Sequence, residues 1–102
     1  MVHVLAVIKT KPGMRAQVLE AFNENVPAVH AEDRCIEYGA VVDIEQGGPM
    51  QTKFGADTFV VVEKWASMQA LGAHAKSAHM AAYAAKVKDM LEDRTIHILE
   101  SA

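Results

Sequence analysis

Four residues of this chain have types and spacing that could do chemistry: Glu63, Trp65, His74 and His79. The first two end the segment FVVVEKW, and Trp65 is the chain's only tryptophan. The two histidines lie five residues apart in LGAHAKSAH. An imidazole changes charge near neutral pH and can serve as a general base. A carboxylate turned inward is costly unless a donor meets it, and for Glu63 the donors to expect are His79 or His74. The alternative is a solvated strand end with Glu63 on the surface. Trp65 is either a core anchor or the wall of a pocket for a planar ligand, because an indole brings large buried area to both.

The histidine spacing bears on metals. On one continuous helix, at about 100° per residue, His74 and His79 stand about 140° apart and cannot chelate one ion. A break at Ser77 would change this, but no cysteine or further carboxylate cluster completes a ligand set, so no metal is expected. His79, at a helix start, could face a pocket as base or cap local backbone. His74 suits a structural place at its helix C-terminus, where a cation is favoured. Asn25, His30 and Glu32 lie around Pro27 and could line a pocket mouth, with the surface the expected place for Glu32. Tyr38 and Tyr83 should be half-buried with hydroxyls that need a partner. His3 and His97 are expected at a subunit interface or in solvent. Cys35 reads as a small buried filler with no base spaced to activate it.

These residues need elements to position them. Val2 to Thr10 is apolar on both faces and predicts a strand. Met14, Val18, Phe22 and Val26 form one stripe of a helix running to about Asn25. Pro27 should kink or end it, with a short helical piece over Ala28 to Glu32. Cys35 to Glu45 predicts a strand with Ile36, Tyr38, Ala40, Val42 and Ile44 on one face. Gln46 to Ala56, with three glycines and a proline, predicts a long loop of the kind that is often functional or mobile. Thr58 to Trp65 is the clearest strand, with Phe59, Val61, Glu63 and Trp65 on one face. Ser67 and Ser77 are the expected N-caps of helices over Met68 to about Lys76 and Ala78 to about Leu91. Arg94 to Glu100 predicts the last strand.

The order β, α, β, β, α in pieces, β is the split βαβ arrangement of ferredoxin-like α+β folds, with a four-stranded antiparallel sheet. Helices cover one face of such a sheet. The other face is apolar here as well, through Leu5, Val7, Val60 and Val62, and would be a sticky patch if bare. Packing against its own copy, as a two-fold homodimer, covers it.

The 102 residues fit one domain, 1–102. With 51% hydrophobic and 23% charged residues the chain is apolar for its size, again consistent with a buried subunit face. Net charge is -3 and no basic run occurs, which argues against nucleic acid or an anionic membrane as partner. No apolar stretch approaches the roughly 18 residues of a membrane span. One cysteine forms no internal disulfide and suits a reducing cytoplasm, and MVHVLAVIKT reads as a strand, not a secretion signal.

The string Glu63-Lys64-Trp65, then Ala70-Leu71-Gly72-Ala73-His74, then Ser77-Ala78-His79, resembles the antibiotic biosynthesis monooxygenase family. Glu32-Asp33-Arg34-Cys35-Ile36-Glu37-Tyr38 is similar to that family's turn into its second strand, with Asp33-Arg34 where many members have Pro-Gly. The resemblance implies a dimeric α+β barrel with a pocket between helices and sheet. It implies oxidation of a quinol or phenol by molecular oxygen, often without metal or flavin, so no cofactor is expected. His79 would be the base that takes the phenolic proton, with Glu63 orienting it or meeting the substrate hydroxyl. Trp65, Tyr83, Tyr38, His74 and Asn25 would contact substrate. Alternatives within the resemblance are an isomerase of the autoinducer-2-processing type or a non-catalytic, ligand-binding stress-response dimer. Haem-degrading relatives place an asparagine on the first strand, and this chain has none there.

Overall fold

In the computed structural model, which describes residues 1–102, the chain runs β1 (Val2–Thr10), α1 (Arg15–His30), β2 (Cys35–Val41), β3 (Thr58–Trp65), α2 (Met68–Ala75), α3 (Ala78–Val87), a 3-10 turn over Lys88–Met90, and β4 (Leu91–Leu99). The four strands form one antiparallel sheet in the order β2-β3-β1-β4. This is the ferredoxin-like α+β plan that the sequence predicts.

Register decides which residues share the helix-covered face. Val4 pairs with Glu63 on one side and Ile98 on the other; Ala6 pairs with Val61 and Ile96; Ile8 pairs with Phe59 and Arg94. Val4, Ala6, Ile8, Phe59, Val61 and Trp65 bury there with Val18, Phe22 and Val29 of α1. Each buried Val, Ile or Phe side chain among them stabilises by roughly 1.5–3 kcal/mol, which fixes the strand faces against slippage. The β4 residues of this face stay open: Ile96 and Ile98 are 48% and 52% exposed.

Several boundaries differ from the sequence prediction. Helix α1 does not stop at Asn25 but runs through Pro27 to His30. The proline sits in the last turns, where it removes a single backbone donor. Burial of Val29 at 0% exposure and the Ala31 N–H to Pro27 carbonyl bond of 3.1 Å carry the helix past it. Strand β2 stops at Val41, not Glu45, and a bulge lies between Cys35 and Glu37. A bulge shifts the alternation by one, so Ile36 turns to solvent while Cys35, Tyr38 and Ala40 touch the core. Val42 and Ile44 belong to the exposed connection to β3. There the Asp43 carboxylate accepts from Phe54 N (3.0 Å) and Gly55 N (2.9 Å), which holds its pKa below the ordinary value. Helix α3 ends at Val87, and β4 begins at Leu91, three residues before the expected Arg94. No helix is long and apolar enough to cross a membrane.

Candidate active site

Ser77 makes the corner on which the site turns. It N-caps α3 by accepting from Met80 N at 3.4 Å, and its hydroxyl donates to the His74 carbonyl at 2.7 Å. The chain therefore leaves α2 and starts α3 in a new direction within two residues. The continuous-helix angle no longer applies, and His74 and His79 converge on one carboxylate oxygen. Glu32 Oε2 lies 2.7 Å from His74 Nδ1 and 2.9 Å from His79 Nε2. Ser77 Oγ is 3.2 Å from His79 Nε2.

A carboxylate only accepts, so each of these ring nitrogens carries a proton. In neutral His74 that leaves Nε2 with the free lone pair. His74 Nε2 makes no hydrogen bond, yet no buried side-chain polar atom is without a partner. This nitrogen therefore keeps contact with open space, and the space that His74 borders is a cavity.

That cavity, of about 620 Å³, lies between the sheet and helices α1, α2 and α3. Of its 20 lining residues 16 are hydrophobic; the polar four are Glu63, His74, Lys88 and Arg94. Glu63 is 7% exposed, and its Oε1 accepts from the Trp65 indole N–H at 2.9 Å. Burial pushes its carboxyl pKa up, reinforced by the Glu32 charge and opposed by the Trp65 hydrogen bond and His74. Burial likewise pushes the Tyr83 hydroxyl up to about 12 and the Tyr38 hydroxyl well above its ordinary value. Both phenols remain neutral hydrogen-bonding groups at physiological pH. The arrangement can bind a largely apolar ring and present it to one imidazole and one carboxyl group.

Residues 1–86 match the model of the family named Antibiotic biosynthesis monooxygenase. The chain belongs to that family. Among curated proteins it is 37% identical over 102 residues to "Probable quinol monooxygenase YgiN" of Escherichia coli K12, covering 98% of this chain and 97% of that one. A solved structure described as an antibiotic biosynthesis monooxygenase superimposes with a TM-score of 0.80 at 25% identity, covering 100% and 99% of the two chains. A Pseudomonas aeruginosa structure shares the fold with a TM-score of 0.82 at 20% identity, covering 99% and 93%. Membership places the chain among monooxygenases.

Set on this monooxygenase frame, the residues singled out from sequence separate into two groups. Glu63, His74, Tyr38 and Tyr83 border the cavity; His79, Trp65 and Asn25 do not. The expected pairing of Glu63 with a histidine does not occur, because the indole two residues along the same strand face reaches its carboxyl first. Trp65 is fully buried and backs the imidazole, with ring centres 4.6 Å apart; it is an anchor behind the wall. Asn25 stands behind Met80, its amide donating to the sulfur at 3.4 Å. Tyr38 stacks on Phe22 at 5.2 Å and meets the His74 ring edge-on at 5.3 Å. His30 lies on the exposed side, 2.9 Å from the Tyr38 carbonyl.

Glu32 is the main correction. Expected on the surface, its side chain is only 13% exposed. It follows the end of α1, so no periodicity marks it in the sequence. Lys88 and Arg94 were missed as well. The alternation that pairs Ile96 with Ile98 puts Arg94 on the same face, and that much was readable. The expectation that the histidines cannot share an ion also fails, since the ligating atoms of Glu32, His74 and His79 lie within 4.8 Å of one another. Two imidazoles and a carboxylate are a donor set suited to zinc or iron; in this structure hydrogen bonds join them.

Proposed function

We propose that the chain is a cofactor-independent monooxygenase that oxidises a quinol or phenolic compound with molecular oxygen. The observation that carries this is His74, whose Nδ1 is held by Glu32 and whose side chain borders an apolar cavity. The quinol monooxygenase description of the 37% identical relative supports the substrate class.

The expected base, His79, does not border the cavity, so the role moves to His74. Its Nε2 takes the proton of the substrate hydroxyl. The imidazolium that forms is stabilised by the Glu32 carboxylate 2.7 Å from Nδ1. His79, with a side chain 28% exposed, joins the same carboxylate to solvent and gives the proton a way out. Glu63 offers its carboxyl to a second substrate oxygen. The electron-rich anion passes one electron to oxygen, the two radicals join as a ring peroxide anion, a proton returned by the His74 imidazolium makes it a hydroperoxide, and loss of water completes the reaction. The balance is quinol plus oxygen giving hydroxyquinone plus water. Apolar walls suit this chemistry, because they admit oxygen and leave few polar groups beside the anion. The resemblance supports a homodimer for the working enzyme.

Oxygen uptake with a series of quinols tests the reading. His74→Ala should lower turnover by roughly 10²–10⁴-fold, the usual contribution of a general base, with the circular dichroism spectrum unchanged. Undiminished turnover in that variant removes His74 from the role. Substrate conversion without oxygen consumption favours the isomerase reading instead.

A further inference from the structure

We propose that the substrate is an elongated quinol or phenol carrying an anionic group, with its reacting ring at His74 and Glu63 and its anion between Lys88 and Arg94. This rests on the proposed function for which end of the cavity reacts.

The cavity has two polar poles and an apolar middle. Glu63 sits on the rung that runs Glu63, Val4, Ile98, and Arg94 on the rung that runs Phe59, Ile8, Arg94. The two residues are therefore two strands and four residues apart. At about 3.3 Å per residue and about 4.8 Å per strand, their backbones are separated by roughly 16 Å. Lys88 follows the end of α3, three residues before β4 begins, and lines the same cavity as Arg94. Between the poles the wall is formed by groups such as Ala6, Val61 and Ile96.

Neither cation is otherwise engaged. Lys9, Lys64, Lys86 and Arg34 each form a salt bridge; Lys88 and Arg94 form none, nor any hydrogen bond. Of the acids next to them in sequence, Glu92 is held by Lys9 at 3.3 Å, and Asp89 and Asp93 form no salt bridge. Two exposed cations without a salt bridge thus stand at the rim of a cavity whose other pole is a carboxyl. That polarity repels an anion from the Glu63 end and admits it at the other. The volume of about 620 Å³ falls in the range that holds a drug-sized ligand, which leaves room beyond a single ring. An Arg fork meets a carboxylate in two parallel hydrogen bonds, and Lys adds a point charge.

The test uses two unreactive ligands in calorimetric titration: a two-ring quinone with a carboxylate on a short chain, and its primary amide. The wild-type protein should bind the carboxylate roughly tenfold more tightly, the usual scale for charge-assisted contacts, with the gap shrinking as salt is raised. The double variant Lys88→Gln/Arg94→Gln should bind the carboxylate no better than the amide. Equal binding of the two by wild type, binding of neither, or a gap that survives in the double variant each overturns the proposal. The proposed function fails separately: oxidation of no quinol, with the carboxylate preference intact, would sink that reading and leave the cationic pole standing.

Discussion

Glu63 faces Val4 across the strand pair and has one hydrogen-bond donor, the Trp65 indole, where water would supply several. Burial raises its carboxyl pKa above the ordinary 4.5. The folded state therefore prefers the protonated form. Stability from this group is fully present below 4.5 and is lost as pH rises through the higher folded value. Glu63→Gln keeps an oxygen for the indole and removes the charge. Its melting temperature should exceed that of wild type at pH 7, with the difference closing toward pH 4; a lower value at pH 7 would show the charge to be compensated in place. The sequence placed Glu63 and Trp65 on one strand face, because alternation over Thr58–Trp65 is unbroken. It did not yield Glu32, whose partners come from two later helices and meet it only through the corner at Ser77. Such convergence leaves no mark in local spacing.

Between α1 and β2 the chain turns on Arg34, which has φ of 64°. A side chain in this left-handed region costs roughly 1–2 kcal/mol relative to glycine's freedom there. The turn matters because Glu32 precedes it by two residues and Ala66 N donates to the Arg34 carbonyl at 3.1 Å, which ties the turn to the end of β3. Arg34→Gly should stabilise the protein by about 1 kcal/mol, a rise of about 4–8 °C in Tm, measured by thermal melting at fixed pH. Element boundaries were legible where one period ran without interruption, as in β1 and β3. They were lost where a bulge reset the alternation of β2, and where core burial of Val29 outweighed the missing donor of Pro27.

On the whole-molecule scale, the sheet face away from the helices presents Leu5 paired with Val62 and Val7 paired with Val60. Leu5 is 38% exposed. The connection after β2 reaches Val60, which is buried, but does not close over the whole strip. A two-fold partner would cover the rest. Val62→Lys would place the same unpaired charge twice in such an interface, a costly change. Sedimentation should show a dimer for wild type and a monomer for the variant; a wild-type monomer at micromolar concentration would end the dimer reading. The burial of the lone indole against His74 has one more consequence. Trp65 is the chain's only tryptophan and is shielded from water, so its fluorescence will peak at short wavelength. A charged imidazole quenches indole emission, so the brightness of this one ring follows the protonation of its neighbour. The protein thus carries its own optical gauge, and stopped-flow emission would time the proton transfer to His74 that the proposed function requires.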